Sequence, residues 1–304
     1  MNEANQKLNS NTAGLAFSVS VVIYILVNLL ISIIVNAASI PAGSDGYIYL
    51  SYIIAPIALA IGCFSILSFK KQKVCEVAPV KCLFKYYIIA ILLIFGLLFS
   101  LSKLNVLTLN FLKLLGYIPR EDSSYLPSLK GGLIVPALIV IAVLPAIFEE
   151  FLFRGIISRN VRESAGDIRS IFIVGFCFAL FHGSPEQTVY QFISGCTFSF
   201  VAIRAGSILP SILMHFLNNA IIIVLYAVGA TDSGGSLVIS YTADIILTVT
   251  AALAFIGGIV WLILDKKPFL KCEMEGEGVK TFFIYASVGI IILSIVWILS
   301  FVGI

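Results

Sequence analysis

The sequence predicts an all-α fold, a polytopic membrane bundle of eight or nine transmembrane helices. Three observations predict it. The 304 residues are 60% hydrophobic and 12% charged, about half the ~25% charge of a soluble globular domain, and the mean hydropathy is +1.08. The apolar residues are gathered into long runs that contain no Asp, Glu, Lys or Arg. The basic residues fall between alternate runs, as they do in proteins that cross a bilayer.

The runs, in order, are Leu8–Ser44, Gly46–Phe69, Tyr86–Ser102, Gly131–Phe148, Ser170–Pro185, Gln187–Ile203, Ala205–Thr231, Ile245–Leu264 and Thr281–Ile304. A helix needs roughly 20 apolar residues to cross the hydrocarbon core, within a range of about 17–25, and most of these runs fit. They are apolar on every side, whereas strands of a membrane barrel would alternate with a period of two. The first run starts after Lys7, lacks a basic leading region and is longer than a signal core, so it is expected to be the first span rather than a cleaved leader. With no internal repeat or low-complexity tract, residues 1–304 read as a single integral-membrane domain.

Lys70, Lys71, Lys73, Lys81 and Lys85 share one connection, Arg159, Arg162 and Arg169 a second, and Lys266, Lys267, Lys271 and Lys280 a third, while Asn36–Gly46 and Gly229–Thr242 hold no Lys or Arg. Cytoplasmic loops collect positive charge. The alternation predicts a cytoplasmic N-terminus, nine spans and an external C-terminus, in the plasma membrane if the source is a bacterium. Lys103–Arg120 resists this scheme, because it carries Lys103, Lys113 and Arg120 where an external segment is expected; an interfacial helix or an extension of the third span would account for it. Orientation explains the basic loops, and there is neither a phosphate-binding glycine loop nor a basic patch suited to nucleic acid. Of six cysteines, Cys63, Cys177 and Cys196 fall in spans and Cys75, Cys82 and Cys272 in cytoplasmic loops, which argues against structural disulfides. Cys75 and Cys82, with no loop histidine, are a weak metal signal.

The informative residues are those that are costly inside a membrane. An ionisable group in a span costs at least about 2.5–3.5 kcal/mol and is a functional hypothesis by default. Here these are Glu149, Glu150, Arg154, His182 and His215, with Asn218 and Asn219 as polar companions, and His182 and His215 are the only histidines of the chain. Glu150 and Arg154 are four apart on one helix face and can pair. Glu149, rotated by about 100°, is left without a partner and suits a general base; the same charges could equally be an ion network that fixes helix packing. His182 lies four residues after Phe178, just before Gly183, Ser184 and Pro185 stop the helix, and could be aimed into a cavity or be a satisfied buried histidine. His215 and Asn219 share a face and can both donate hydrogen bonds, either to an oxyanion or as a clasp between membrane helices. If the spans meet the cytoplasmic surface near Ser158, Ile171 and Ser207, then Glu149, His182 and His215 lie roughly 13, 16 and 12 Å deep, a common level.

Three short patterns now stand in order: EEFLFR at Glu149, Glu150 and Arg154, FALFH at Phe178 and His182, and HFLNN at His215 and Asn219. They fit the EExxxR, FxxxH and HxxxN motifs, and the sequence resembles the CPBP intramembrane proteases, which include CAAX prenyl endopeptidases, bacteriocin-processing proteins and Abi proteins. The resemblance covers about 136–225, the expected catalytic core, and leaves the first three and last two spans unconstrained. It implies an intramembrane endopeptidase in which Glu149 with His182 activates a water, His215 and Asn219 stabilise the tetrahedral oxyanion, and Glu150, Arg154 and Phe178 support them. The implied partners are the bilayer and a peptide or protein tail, lipidated or not; in a bacterium the role would be peptide processing or self-immunity to a bacteriocin. Zinc is the cofactor in question, since Glu149, His182 and His215 would make a ligand set with water fourth. The chain has no HExxH helix, and hydrolysis without an obligatory metal is the reading favoured. A membrane scaffold or transporter using the same polar cluster is the alternative, although no paired halves of the transporter kind are apparent.

Overall fold

The computed structural model describes residues 10–41, 43–119, 126–129, 132–232, 236–267, 269–270 and 277–303. Lys7, Arg120, Lys271 and Cys272 lie outside them. The described chain is an all-α bundle: α1 (Ser10–Ala37), α2 (Asp45–Phe69), α3 (Lys85–Leu114), α4 (Ile134–Phe181), α5 (Thr188–Ala205), α6 (Leu209–Ala227), α7 (Tyr241–Ile263) and α8 (Gly278–Val302). All but α5 are long and apolar enough to cross a membrane, so seven helices meet that measure among the described residues, close to the eight or nine expected. The difference has two sources. One element covers two of the expected spans, and α5 carries several polar residues in its 18.

That element is α4. Its 48 residues are not one rod, because Gly166 adopts φ 77 and ψ 171, a conformation open to glycine and hostile to side chains. The chain reverses there. Ser170 Oγ donates to Ser158 O, twelve positions earlier, whereas a straight helix would hold them about 18 Å apart. The Phe153 ring meets Phe178 at 5.2 Å and Phe181 at 5.8 Å across the two arms. Asp167 secures the turn: its carboxylate accepts from Arg162 Nε at 2.6 Å and from Leu270 N at 3.0 Å, and its own N–H donates to Leu270 O at 3.0 Å.

Elsewhere the helix starts follow the sequence. Ser44 accepts from Tyr47 N ahead of α2 and Ser240 from Ala243 N ahead of α7, each with an aspartate in the first turn, which satisfies free N–H groups and complements the helix dipole. α1 packs between α2 and α8, the second arm of α4 against α5, and α3 against α7. The largest core joins Ala13, Phe17, Leu59, Phe153, Val174 and Phe282. On α1 the outward residues Leu26, Leu29, Leu30 and Ile33 stay 57–66% exposed, a stripe that only lipid would cover.

The two ends of the bundle differ in charge. At one end Ser10 Oγ meets Ser164 Oγ at 2.5 Å, Ile208 N donates to Pro79 O at 3.0 Å, and Lys85 pairs with Asp265 at 2.9 Å. The connections at this end carry Lys70, Lys71, Lys73, Lys81, Arg159, Arg162, Lys266 and Lys267. At the other end Tyr117 bonds Glu186 and Trp297 bonds Thr188. The awkward segment from Lys103 proves to be the continuation of the third span: α3 runs through a wide π-turn at Leu97–Leu101 to Leu114, and Lys103 pairs with Asp244 at the foot of α7.

Candidate active site

The first arm of α4 contains two π-helical stretches, Leu138–Val143 and Phe151–Ile157, a geometry frequent at functional sites. Between them sits a regular segment, Leu144–Glu150, that ends on the two glutamates. Glu150 is wholly buried. Its Oε1 accepts from Arg154 NH1 at 2.7 Å and lies 3.0 Å from His215 Nδ1. Arg154 is buried too. Its NH2 donates to Gly195 O at 2.9 Å and its Nε to Ser199 Oγ at 3.3 Å, and its Cζ lies 4.5 Å from the centre of the Phe178 ring and 5.2 Å from that of Phe198. Arginine can share its charge in this way because the planar fork offers five donors and stacks on aromatic faces. The ion pair holds Glu150 Oε1 beside His215, while Glu150 Oε2 is buried without a hydrogen-bond partner.

The other acid is differently situated. Glu149 Oε2 is buried without a hydrogen-bond partner, 4.0 Å from His215 Nε2. That separation is too long for a direct hydrogen bond and of the length that one water bridges. His215 therefore stands between the two acids, with Nδ1 to Glu150 and Nε2 to Glu149. Its ring packs edge-on to Phe178 at 6.0 Å and beside Phe198 at 5.9 Å.

His182 closes the second arm of α4. Its Nδ1 meets Phe178 O at 2.8 Å and its ring lies 4.6 Å from that of Phe178, which leaves Nε2 as the free ring nitrogen. Glu149, His215 and Arg154 are all near enough to act on it electrostatically. Phe178 touches Arg154, His182 and His215 at once, and is the hub of the cluster.

Asn219 is tied to the first arm of α4: its amide donates to Ile141 O at 2.9 Å, and its Oδ1 accepts from Asn218 Nδ2 at 3.0 Å. Ile141 lies in the π-helical stretch, where carbonyls leave the regular ladder, and only the fold brings it to Asn219.

The sequence reading missed Gly195, Ser199 and Phe198. All three lie on α5, whose approach to α4 depends on glycines: a Cβ on Gly195 would stand 2.9 Å from Gly175 Cα and 3.0 Å from Phe178 Cβ. Small residues at contacts between membrane helices could have flagged the pair; nothing local in the sequence marks the bonds to Arg154. On the basic-end side of Arg154 is a cavity of about 20 Å³, bounded by Ser158, Arg159, Arg162, Gly206 and Ser207, room for about one water.

A zinc, if bound, would be held by Glu149, His182 and His215. Two donors on one tetrahedral zinc lie about 3.3 Å apart at ordinary ligand distances, and the Glu149–His215 pair stands at 4.0 Å. Among the described residues no three His, Cys, Asp or Glu side chains converge as a metal set. Cys63, Cys75, Cys82, Cys177 and Cys196 are free thiols.

The fold thus defines a polytopic helical membrane protein in which two acids, an arginine and His215 are buried together, with His182 half-buried. Residues 131–221 match the sequence model of a family described as Type II CAAX prenyl endopeptidase, Rce1-like. The match takes in every motif residue from Glu149 to Asn219 and bears out the family resemblance read from them. This is a protease family, which supports a peptidase activity for the chain. No curated protein and no solved structure matches the chain.

Proposed function

We propose that the protein is an intramembrane endopeptidase that hydrolyses a peptide bond in a peptide or protein tail, lipidated or not, entering from the basic end of the bundle. The observation that carries this reading is the buried, unpartnered Oε2 of Glu149 beside a histidine whose other nitrogen is already held. Glu149 takes a proton from a water as the water attacks the carbonyl carbon, and later delivers it to the leaving amine. His182, with Nδ1 fixed by Phe178 O, presents Nε2 to the same water. His215, whose Nδ1 is held by Glu150 Oε1, turns Nε2 toward the developing oxyanion, and Asn219 adds its remaining N–H. Glu150, Arg154 and Phe178 hold His215 and His182 in place. No step runs through a metal.

The clustering of basic residues at the end where α1 begins supports a cytoplasmic N-terminus. The test of the activity is cleavage of a library of CAAX-type peptides, prenylated and unprenylated, by the purified protein in proteoliposomes. Glu149→Gln should lose at least about 10²-fold in rate with unchanged insertion and abundance. Full activity in that variant refutes the assignment, and function retained by Glu149→Ala in cells would point to a scaffold instead.

A further inference from the structure

Three side chains and one carbonyl form a directional chain across the bundle. Tyr190 OH on α5 donates to Asn218 Oδ1 at 3.2 Å, Asn218 Nδ2 donates to Asn219 Oδ1 at 3.0 Å, and Asn219 Nδ2 donates to Ile141 O at 2.9 Å. Tyr190 is buried in the core that includes Met214 and Leu262, so its hydroxyl is held from behind. We propose that Asn218 and Tyr190 are positioning residues that aim Asn219 at the reacting carbonyl, a role that rests on reading Asn219 as an oxyanion donor.

The reasoning is one of counting bonds. An asparagine amide offers one oxygen and two N–H groups. If Ile141 alone held Asn219, the side chain could still swing about that single hydrogen bond. With Oδ1 engaged as well, the amide plane is fixed at two points, and its second N–H has one direction left. Asn218 performs this only in one orientation, with NH2 and not oxygen toward Asn219. Hydrogen-bond partners decide which way an amide points, and here the Tyr190 hydroxyl decides it by claiming Asn218 Oδ1. Asn218 lies about 100° round α6 from Asn219, toward α5, so the chain reaches the site from a helix that holds no other member of the proposed hydrogen-bonding machinery beyond the anchors of Arg154.

The experiment uses the full-length protein in proteoliposomes with the same peptide library. Removing an oxyanion donor outright costs about 10²–10³ in kcat, so losing only its aim should cost less. Asn218→Leu is expected to lower kcat about tenfold and Tyr190→Phe about threefold, with KM unchanged in both. In an Asn219→Leu background, Asn218→Leu should have no further effect, because a residue that acts through another falls silent when the other is gone. Additive losses in the double variant, or a rise in KM with kcat intact, overturn the proposal. If Asn218→Leu cleaves at the wild-type rate while Glu149→Gln does not, the positioning role fails and the hydrolase reading stands. If Glu149→Gln also cleaves normally, or the wild type cleaves nothing, both fall.

Discussion

Replacing Arg154 by methionine removes a fully buried cation and leaves the apolar part of the side chain in place. Both partners of the Glu150–Arg154 pair have fully buried side chains. The variant loses three hydrogen bonds, at 2.7, 2.9 and 3.3 Å, and the stack on Phe178. The larger effect is on what remains: Glu150 is left as a buried carboxylate beside His215 without its cation. Breaking one partner out of a buried pair costs about 3–5 kcal/mol, or roughly two to three and a half decades in the folding equilibrium. Replacing both charges by neutral groups of similar volume is far less costly, so Glu150→Gln with Arg154→Met should recover most of that loss. Unfolding by SDS titration in mixed micelles measures all three proteins. The double variant should remain inactive despite its recovered stability, because His215 Nδ1 has lost its carboxylate. Wild-type stability in Arg154→Met would refute the claim that the pair holds the cluster together.

Other outcomes follow from the same structure. Gly195→Val should prevent α4 and α5 from closing, since even a Cβ would meet Gly175 and Phe178 at 2.9–3.0 Å; thermal melting in detergent should show a lower midpoint than for Gly257→Ala, where nothing stands nearby and the backbone is helical. Asp265 receives the Tyr86 hydroxyl at 2.6 Å and the Lys85 ammonium at 2.9 Å, and the Tyr86 bond first, then Lys85, holds its carboxyl down at about 2. An unfolded aspartate titrates near ~3.9, so the contact stabilises fully above that pH and is lost as pH falls toward 2. Pepsin should therefore cut near residues 264–270 increasingly over that interval, and the dependence should flatten in Asp265→Asn. Cys75 is exposed at the basic end, and an impermeant maleimide should label it in inside-out vesicles but not in sealed right-side-out cells. Preincubation with a strong zinc chelator should leave peptide cleavage within about twofold of the untreated rate, as expected where the donors do not form a zinc set.

The bundle and the cluster were legible for the same reason: charge inside an apolar run is costly, so the few places where it occurs stand out. Glu149, Glu150, Arg154, His182 and His215 were found by that argument, and spacing alone paired Glu150 with Arg154. What spacing could not supply were contacts made between helices. The bonds of Arg154 to Gly195 and Ser199 depend on how closely α5 packs. The fate of Asn219 depends on a carbonyl 78 positions away, freed in a π-turn that no hydrophobic period records. The stretch around Gly166 read as an ordinary polar loop between spans, yet helix runs up to it on both sides and a single residue makes the reversal. Arg204, which ended one uncharged run, likewise gave no sign that its guanidinium reaches Lys267 O at 2.5 Å and stacks on Phe269.

The length of α3 has a consequence for where the protein can reside. Its 30 residues extend about 45 Å, against a hydrocarbon core of about 30 Å. Even a tilt of about 40°, the steep end of what is seen, shortens the projection only to about 34 Å. The surplus ends in Leu114, 84% exposed, with Ile118 beyond it at 77%, so this greasy tip reports on bilayer thickness. A thick, tightly ordered bilayer shelters it, whereas a thin one strands it among headgroups and rewards any neighbour that covers it, a sorting force seated at the end of the molecule opposite its basic connections.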